Sequence, residues 1–127
     1  MEPPVLTERE LDIMAVLWER GSATSSEVRD ALADPLAYNT VLTMLRILEE
    51  KGHARHEEEG RAFRYYPTTA RKAVSKFTLS RVVDKLFRGS PRLLITELVR
   101  ERSMDAEDLR ALRALLDEQI RKEGREP

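Results

Sequence analysis

Tyr38 to Pro67 read YNTVLTMLRILEEKGHARHEEEGRAFRYYP, and the order of patterns in this stretch decides the fold. At about 100° per residue, Val41, Met44, Leu45 and Leu48 share one stripe of a helix, while Asn39, Thr43 and Arg46 share the opposite stripe. Gly52 stands where a left-handed residue ends a helix after Lys51. Ala54 to Glu58 then reads as a strand, Glu59-Gly60-Arg61 as a tight turn, and Ala62 to Tyr66 as the return strand, which Pro67 closes because it has no N–H to donate. A helix followed by a β-ribbon is the outline of a winged helix-turn-helix.

The polar stripe has chemistry that suits a DNA groove. Asparagine can pair with adenine through two bonds, threonine offers a hydroxyl or a methyl contact, and arginine presents a fork to guanine or phosphate. Asn39, Thr40, Thr43 and Arg46 are therefore the candidate DNA-reading residues. A solvated face on an ordinary amphipathic helix has the same pattern, so the flanking elements must decide. In the ribbon, Phe63 and Tyr65 point one way and Arg64 and Tyr66 the other. Arg55, Arg61 and Arg64 are the candidate phosphate contacts of the wing, contributing affinity but little sequence information.

Two helices are expected upstream. Thr7-Glu8-Arg9-Glu10 is a capping-box pattern followed by Leu11, Met14, Ala15, Leu17 and Trp18 at helical spacing, with Gly21 as the stop. Thr24-Ser25-Ser26-Glu27 is a second capping box, opening a short helix with Val28, Ala31 and Leu32 inward and Asp34-Pro35 at its end. The start of the third helix carries no such signal, because Ala37 has no capping side chain. Downstream, Thr69 to Phe87 carries Val74, Phe77, Val82, Leu86 and Phe87 in an imperfect helical pattern, with Gly89 beyond it. Ser90-Pro91 opens another helix with Leu94, Ile95, Leu98 and Val99, and Asp105 caps a last one with Leu109, Leu112, Leu115, Leu116 and Ile120. Three helices of this size do not easily enclose a core alone, so a second copy is the economical cover for their apolar faces, the alternative being that they pack against the winged helix of the same chain. Val74, Phe77, Leu86, Leu94, Leu98, Leu109, Leu112 and Leu116 are the candidate dimerisation residues.

Charge argues against bulk attraction to DNA. Residues 1–67 carry 8 Lys/Arg against 13 Asp/Glu, and residues 68–127 carry 14 against 10, so the proposed reading half is the acidic one. Any basic footprint must be local, and weak non-specific binding with a steep loss of operator affinity in salt is expected. The sequence holds no cysteine, which excludes disulfides and thiolate metal sites. His53 and His56, the only histidines, alternate to opposite sides of a strand, so no metal site is expected from them. Trp18 reads as a core anchor. There is no nucleophile-base set, phosphate-cradling glycine loop or cofactor motif, so the chain reads as a non-enzyme with no cofactor. Without a signal pattern or an apolar run of about 20 residues, it is expected to be cytoplasmic with no membrane partner.

Taken together, Leu6-Thr7-Glu8-Arg9-Glu10-Leu11-Asp12-Ile13-Met14 with Leu17-Trp18, Tyr38-Asn39-Thr40-Val41-Leu42-Thr43 with Leu45 and Leu48, Lys51-Gly52, and Glu59-Gly60-Arg61-Ala62-Phe63 with Tyr65 and Pro67 resemble the penicillinase-repressor (BlaI/MecI) family of bacterial winged-helix repressors. The resemblance runs in order along nearly the whole chain. It implies a homodimer that holds a palindromic double-stranded DNA operator through two N-terminal winged helices and dimerises through three C-terminal helices.

This chain also departs from the family's pattern. Ile47 stands where members often have arginine, with Arg46 one position earlier, and Glu49 and Glu50 replace basic residues before the glycine. The resemblance implies a regulatory protease as partner of the inducible members, but the Asn-Phe bond they present aligns with Glu97-Leu98, which does not support that partner here. A copper-sensing branch relies on cysteines that this chain lacks. The expected fold is thus mainly α with a small antiparallel β wing: a winged helix-turn-helix over 1–67 and a helical dimerisation region over 68–127. The expected function is a sequence-specific repressor. The alternative is a winged-helix protein-interaction module that does not touch DNA.

Overall fold

The computed structural model describes residues 5–124. Among them, α1 (Glu8–Arg20), β1 (Ala23–Thr24), α2 (Ser25–Ala31), α3 (Tyr38–Glu50), β2 (Ala54–Glu59), β3 (Ala62–Pro67), α4 (Arg71–Leu86), α5 (Pro91–Glu101) and α6 (Ala106–Gly124) follow in order. The fold is mainly helical, with a three-stranded antiparallel sheet in the order β1-β3-β2. Residues up to Val82 form one compact unit and those from Val83 onward another.

Local chemistry fixes the helix ends. Both expected capping boxes form: the hydroxyl of Thr7 accepts from the Glu10 N–H and that of Thr24 from the Glu27 N–H, each at 3.2 Å, while both glutamates accept the N–H of their own cap residue. Each cap stabilises its helix by about 1 kcal/mol. At the other end of α3, Gly52 takes φ 85°. His53 N donates to Leu48 O at 2.9 Å and Gly52 N to Glu49 O at 3.0 Å, the paired bonds of a Schellman ending. Gly60, with φ 63°, makes the hairpin turn together with Arg61 alone. Glu59 pairs directly with Ala62, so each strand is one residue longer than the sequence suggested.

The core of the first unit lies between the helices and the sheet. Ile13, Met14 and Leu17 of α1, Val28 of α2, and Val41, Leu45 and Leu48 of α3 are fully buried against Tyr65 of β3 and the small Ala23 and Ala54. Each of the larger aliphatic side chains contributes about 1.5 to 3 kcal/mol by leaving water. Burial depresses ionisation of the Tyr65 phenol, raising its pKa. Leu6, Trp18, Leu32, Leu36 and Met44 cover the edges of this cluster.

Two expectations differ from the structure, and one short strand is added to them. The buried stripe of α1 includes Ile13 and Val16 and leaves Ala15 exposed, because the core lies to one side of the predicted stripe. Ala31 is the last residue of α2 and is exposed, because it lines the open cleft beside α1 instead of a closed core. The strand β1 was not anticipated: it has two residues and exists only by pairing Ala23 with Tyr65 and Thr24 with Arg64.

In the second unit, Ser90 caps α5 with Pro91 in its first turn, and Asp105 Oδ1 accepts from Asp108 N at 2.8 Å at the start of α6. Neither helix has a buried residue. Leu98, Leu109 and Leu116 are exposed, Leu94 and Leu112 partly so, and Ile120 is 67% exposed. On α4, Phe77 is partly buried and Leu86 is 73% exposed, but Val74 is only 3% exposed within the single chain. Val74 therefore packs inside its own chain, which removes it from the candidate dimerisation surface.

Candidate nucleic-acid interface

The buried side of α3 leaves a polar side open to solvent. With Val41, Leu45 and Leu48 inward, Asn39, Thr40, Thr43 and Arg46 are all exposed, and Asn39, Thr43 and Arg46 line one stripe at spacings of four and three residues. Ala37 offers no side-chain cap and the first turn holds no acidic residue, unlike α1 and α2. The leading N–H groups of α3 are thus left to water or to an anion such as phosphate. The Arg29 guanidinium of α2 lies 5.6 Å from the Tyr38 ring centre and steadies the entry to the helix.

The hairpin register places Arg55, Glu57 and Glu59 on the same face as Arg64 and Tyr66. Arg55 lies 4.3 Å over the Tyr66 ring and 2.9 Å from Glu57. Arg64 differs from the expected open phosphate contact. Its guanidinium is bonded to Glu59 at 2.9 and 3.1 Å and to Glu27 Oε1 at 3.1 Å, and it reaches Ser22 Oγ at 3.4 Å. The Thr24 N–H and the Arg64 guanidinium together hold the Glu27 carboxyl below its ordinary pKa, and Arg64 does the same to Glu59. Arg64 thereby ties the wing to the capped start of α2. Spacing in the sequence could not show this, because Glu27 comes from another element.

On the opposite face of the hairpin, His56 Nδ1 lies 2.6 and 2.8 Å from the two carboxylate oxygens of Glu49, and its ring stacks on Phe63 with centres 4.3 Å apart. Glu49, one of the acidic departures noted in the sequence, is turned into a link between the last turn of α3 and the wing. His53 stands just before β2, buried, with its Nδ1 2.8 Å from Thr69 Oγ1. The two histidines thus have separate structural partners.

Most acidic side chains between residues 5 and 67 are engaged internally, although Glu8, Glu19, Glu50 and Glu58 stand outside any ion pair. Asp12 and Asp34 hold Arg9, Glu10 holds Lys51, and Glu27, Glu57 and Glu59 hold the wing arginines. Asp12, Glu19 and Asp34 also line an open cleft between α1 and the end of α2, away from the exposed stripe of α3. Among the described residues up to Pro67, the basic side chains outside any ion pair are Arg20, Arg46 and Arg61. Two of these occupy the exposed stripe of α3 and the wing tip, so the free positive charge is concentrated on the candidate interface.

Three helices with a β-ribbon after the third make this part of the chain a winged helix, whose third helix turns an Asn/Thr/Arg stripe to solvent. The profile of the penicillinase repressor family matches residues 6–118, and the chain belongs to that family, which consists of transcriptional repressors and not of enzymes. The penicillinase repressor of Bacillus licheniformis is 25% identical over 117 residues, covering 91% of each chain. The solution structure of the DNA-binding domain of the repressor BlaI is 32% identical and superposes with a TM-score of 0.51, covering 57% of this chain and 90% of that one. A crystal structure of a MarR mutant from E. coli, 16% identical, covers 93% of this chain and 80% of its own with a TM-score of 0.55, a likeness of fold alone. Among the described residues, no helix is long and apolar enough to cross a membrane.

Proposed function

We propose that the chain is a homodimeric repressor that occupies a palindromic DNA operator and denies promoter access without catalysis, acting in the cytoplasm. Residues 1–67 supply the DNA-binding part and residues 68–127 the assembly part. The observation that carries this reading is the exposed stripe of Asn39, Thr43 and Arg46 on a helix whose other side is fully buried. Side chains on such a stripe, with Thr40 beside it, reach base edges when the helix enters the major groove, while Arg61 at the wing tip serves a backbone phosphate. Arg55 makes a weaker phosphate contact, because Glu57 already neutralises part of its charge.

Assembly is supported by the second unit. Helices with no buried residue and with Leu98, Leu109, Leu116 and Ile120 exposed require a cover, and a second copy brings an identical set of faces. A twofold dimer also joins two modest half-site contacts into one useful affinity. Family membership favours this reading over the interaction-module alternative.

Selection of bound duplexes from a random pool, followed by titration at increasing salt, tests the proposal. Recovery of an inverted repeat, bound with a steep negative salt slope by a species that sediments as a dimer, is the expected result. Binding indifferent to sequence and salt, or only monomer at micromolar concentration, overturns it.

A further inference from the structure

The Glu49 carboxylate stands between the wing and the exposed stripe of α3. His56 of β2 faces it, with Nδ1 2.6 and 2.8 Å from its two oxygens, and both side chains are 33% exposed. Two acceptor oxygens at these distances require a proton on Nδ1. Phe63, stacked at 4.3 Å, and Tyr65, tilted at 5.6 Å, hold the imidazole in place. Glu49 also follows Arg46 by three residues, about 60° round the helix, a spacing at which the two side chains can pair. The charges of both act on the Tyr65 phenol. Yet Arg46 stands outside any ion pair among the described residues, and Glu49 is bonded to His56 instead.

We infer, resting on the proposed reading in which Arg46 contacts DNA, that His56 is a positioning residue for that contact: by engaging Glu49 it keeps the carboxylate from neutralising Arg46, most effectively when the imidazole is protonated. His56 itself touches no DNA.

Charge gives the direction of the effect. With both ring nitrogens protonated, His56 and Glu49 are neutral as a pair, and the Arg46 guanidinium is left to DNA. When Nε2 gives up its proton the Nδ1–H still donates, but the pair now carries a full negative charge. The free cation one turn back on α3 is Arg46, and its attraction to Glu49 must then be overcome before it can serve DNA. Histidine is the side chain whose charge changes between about pH 5 and 8, so affinity should fall as pH rises through that range. The remaining ionisable groups near the pair are Tyr65 of β3, Tyr38 of α3, and Glu58, two residues beyond His56 on the same face of β2. Glu50 follows Arg46 by four residues, and His53 is bonded to Thr69. All five are unchanged in every substitution that tests the pair, so their effects cancel.

The test measures affinity of the full-length protein for the duplex it selects from a random pool, at about pH 6 and about pH 8 and fixed ionic strength. The parent should lose about fivefold or more between them. Glu49→Gln removes the competing charge and should lose less than about twofold. His56→Asn keeps a donor for Glu49 but never a charge, so at the lower pH it should bind about as weakly as the parent does at the higher one. Adding Glu49→Gln to it should restore affinity, which a merely structural link between α3 and the wing would not allow. Arg46→Ala should bind more weakly throughout and reduce the pH dependence below about twofold. Urea midpoints show whether each variant is folded, and if His56→Asn is not, Glu49→Gln decides alone. A parent whose affinity does not change with pH, or a pH dependence that survives in full in Glu49→Gln or in Arg46→Ala, overturns the inference while leaving the repressor reading intact. A parent that selects no sequence removes that reading and the inference with it.

Discussion

Lys51 Nζ lies 2.8 Å from Oε2 of Glu10, so the residue that caps the end of α3 is fastened to the first turn of α1. Glu10 is only 4% exposed and also completes the capping box with Thr7. Burial works to raise its pKa, but the Lys51 ammonium and the Thr7 N–H outweigh it and hold the carboxyl below its ordinary value. A group whose folded pKa is lowered binds its proton more readily when unfolded, so its stabilisation is present above the ordinary value of 4.5 and is lost as pH falls through the lowered one. Glu10→Gln should cost about 1 to 3 kcal/mol near neutral pH. Urea unfolding of parent and variant across pH should show the two curves converging below 4.5, and a difference independent of pH would count against the ion pair.

Fastening α3 at its C-terminus steadies its exposed stripe, and under the proposed reading Arg46, with its guanidinium fork, is the residue to read a single base. Arg46→Ala should cost about 1 to 3 kcal/mol against the selected operator and relax the preference at one base-pair position in each half-site. Affinities for a set of single-position operator variants read this directly. A uniform loss over every variant would assign Arg46 to phosphate instead.

Much of this arrangement was legible in the sequence. The stripes of α3 were readable because burial and exposure alternate with helical period, and the hairpin because Gly60 accepts the positive φ its turn demands. Strand β1 was not, since two residues carry no period of their own and become a strand only through Tyr65 and Arg64. The ion pairs were hidden for the same reason: Glu27 meets Arg64 and Glu10 meets Lys51 from distant parts of the chain, and only packing brings them together. The candidate site was accordingly legible as a set of residues, but not the division of the wing arginines between free and engaged.

Arg61 and Arg64 should separate cleanly in experiment. Arg61→Ala should weaken binding to all duplexes alike and reduce the salt slope by about 1, as loss of one phosphate contact does. Arg64→Ala removes the tie between Glu59 and Glu27, so it should lower stability, seen as a reduced urea midpoint, and leave the salt slope unchanged. An Arg64→Ala protein of unaltered stability with a shallower slope would return Arg64 to the phosphate contacts.

Under the proposed reading, the exposed leucines of α6 hold two such readers together. Leu109 and Leu116 lie seven positions apart, about two helical turns, and so on one face of α6, and both are exposed in the single chain. Introducing a carboxylate at both, as Leu109→Asp with Leu116→Asp, would leave charges facing each other across a twofold interface without partners. The double variant should sediment as a monomer and lose about 100-fold or more in affinity for the full operator, the share due to avidity. Its affinity for a single half-site should stay close to that of the parent, because α3 and the wing belong to the other compact unit. A double variant that remains dimeric would place the self-association surface elsewhere, with Leu86 of α4 and Leu98 of α5 the next exposed positions to substitute.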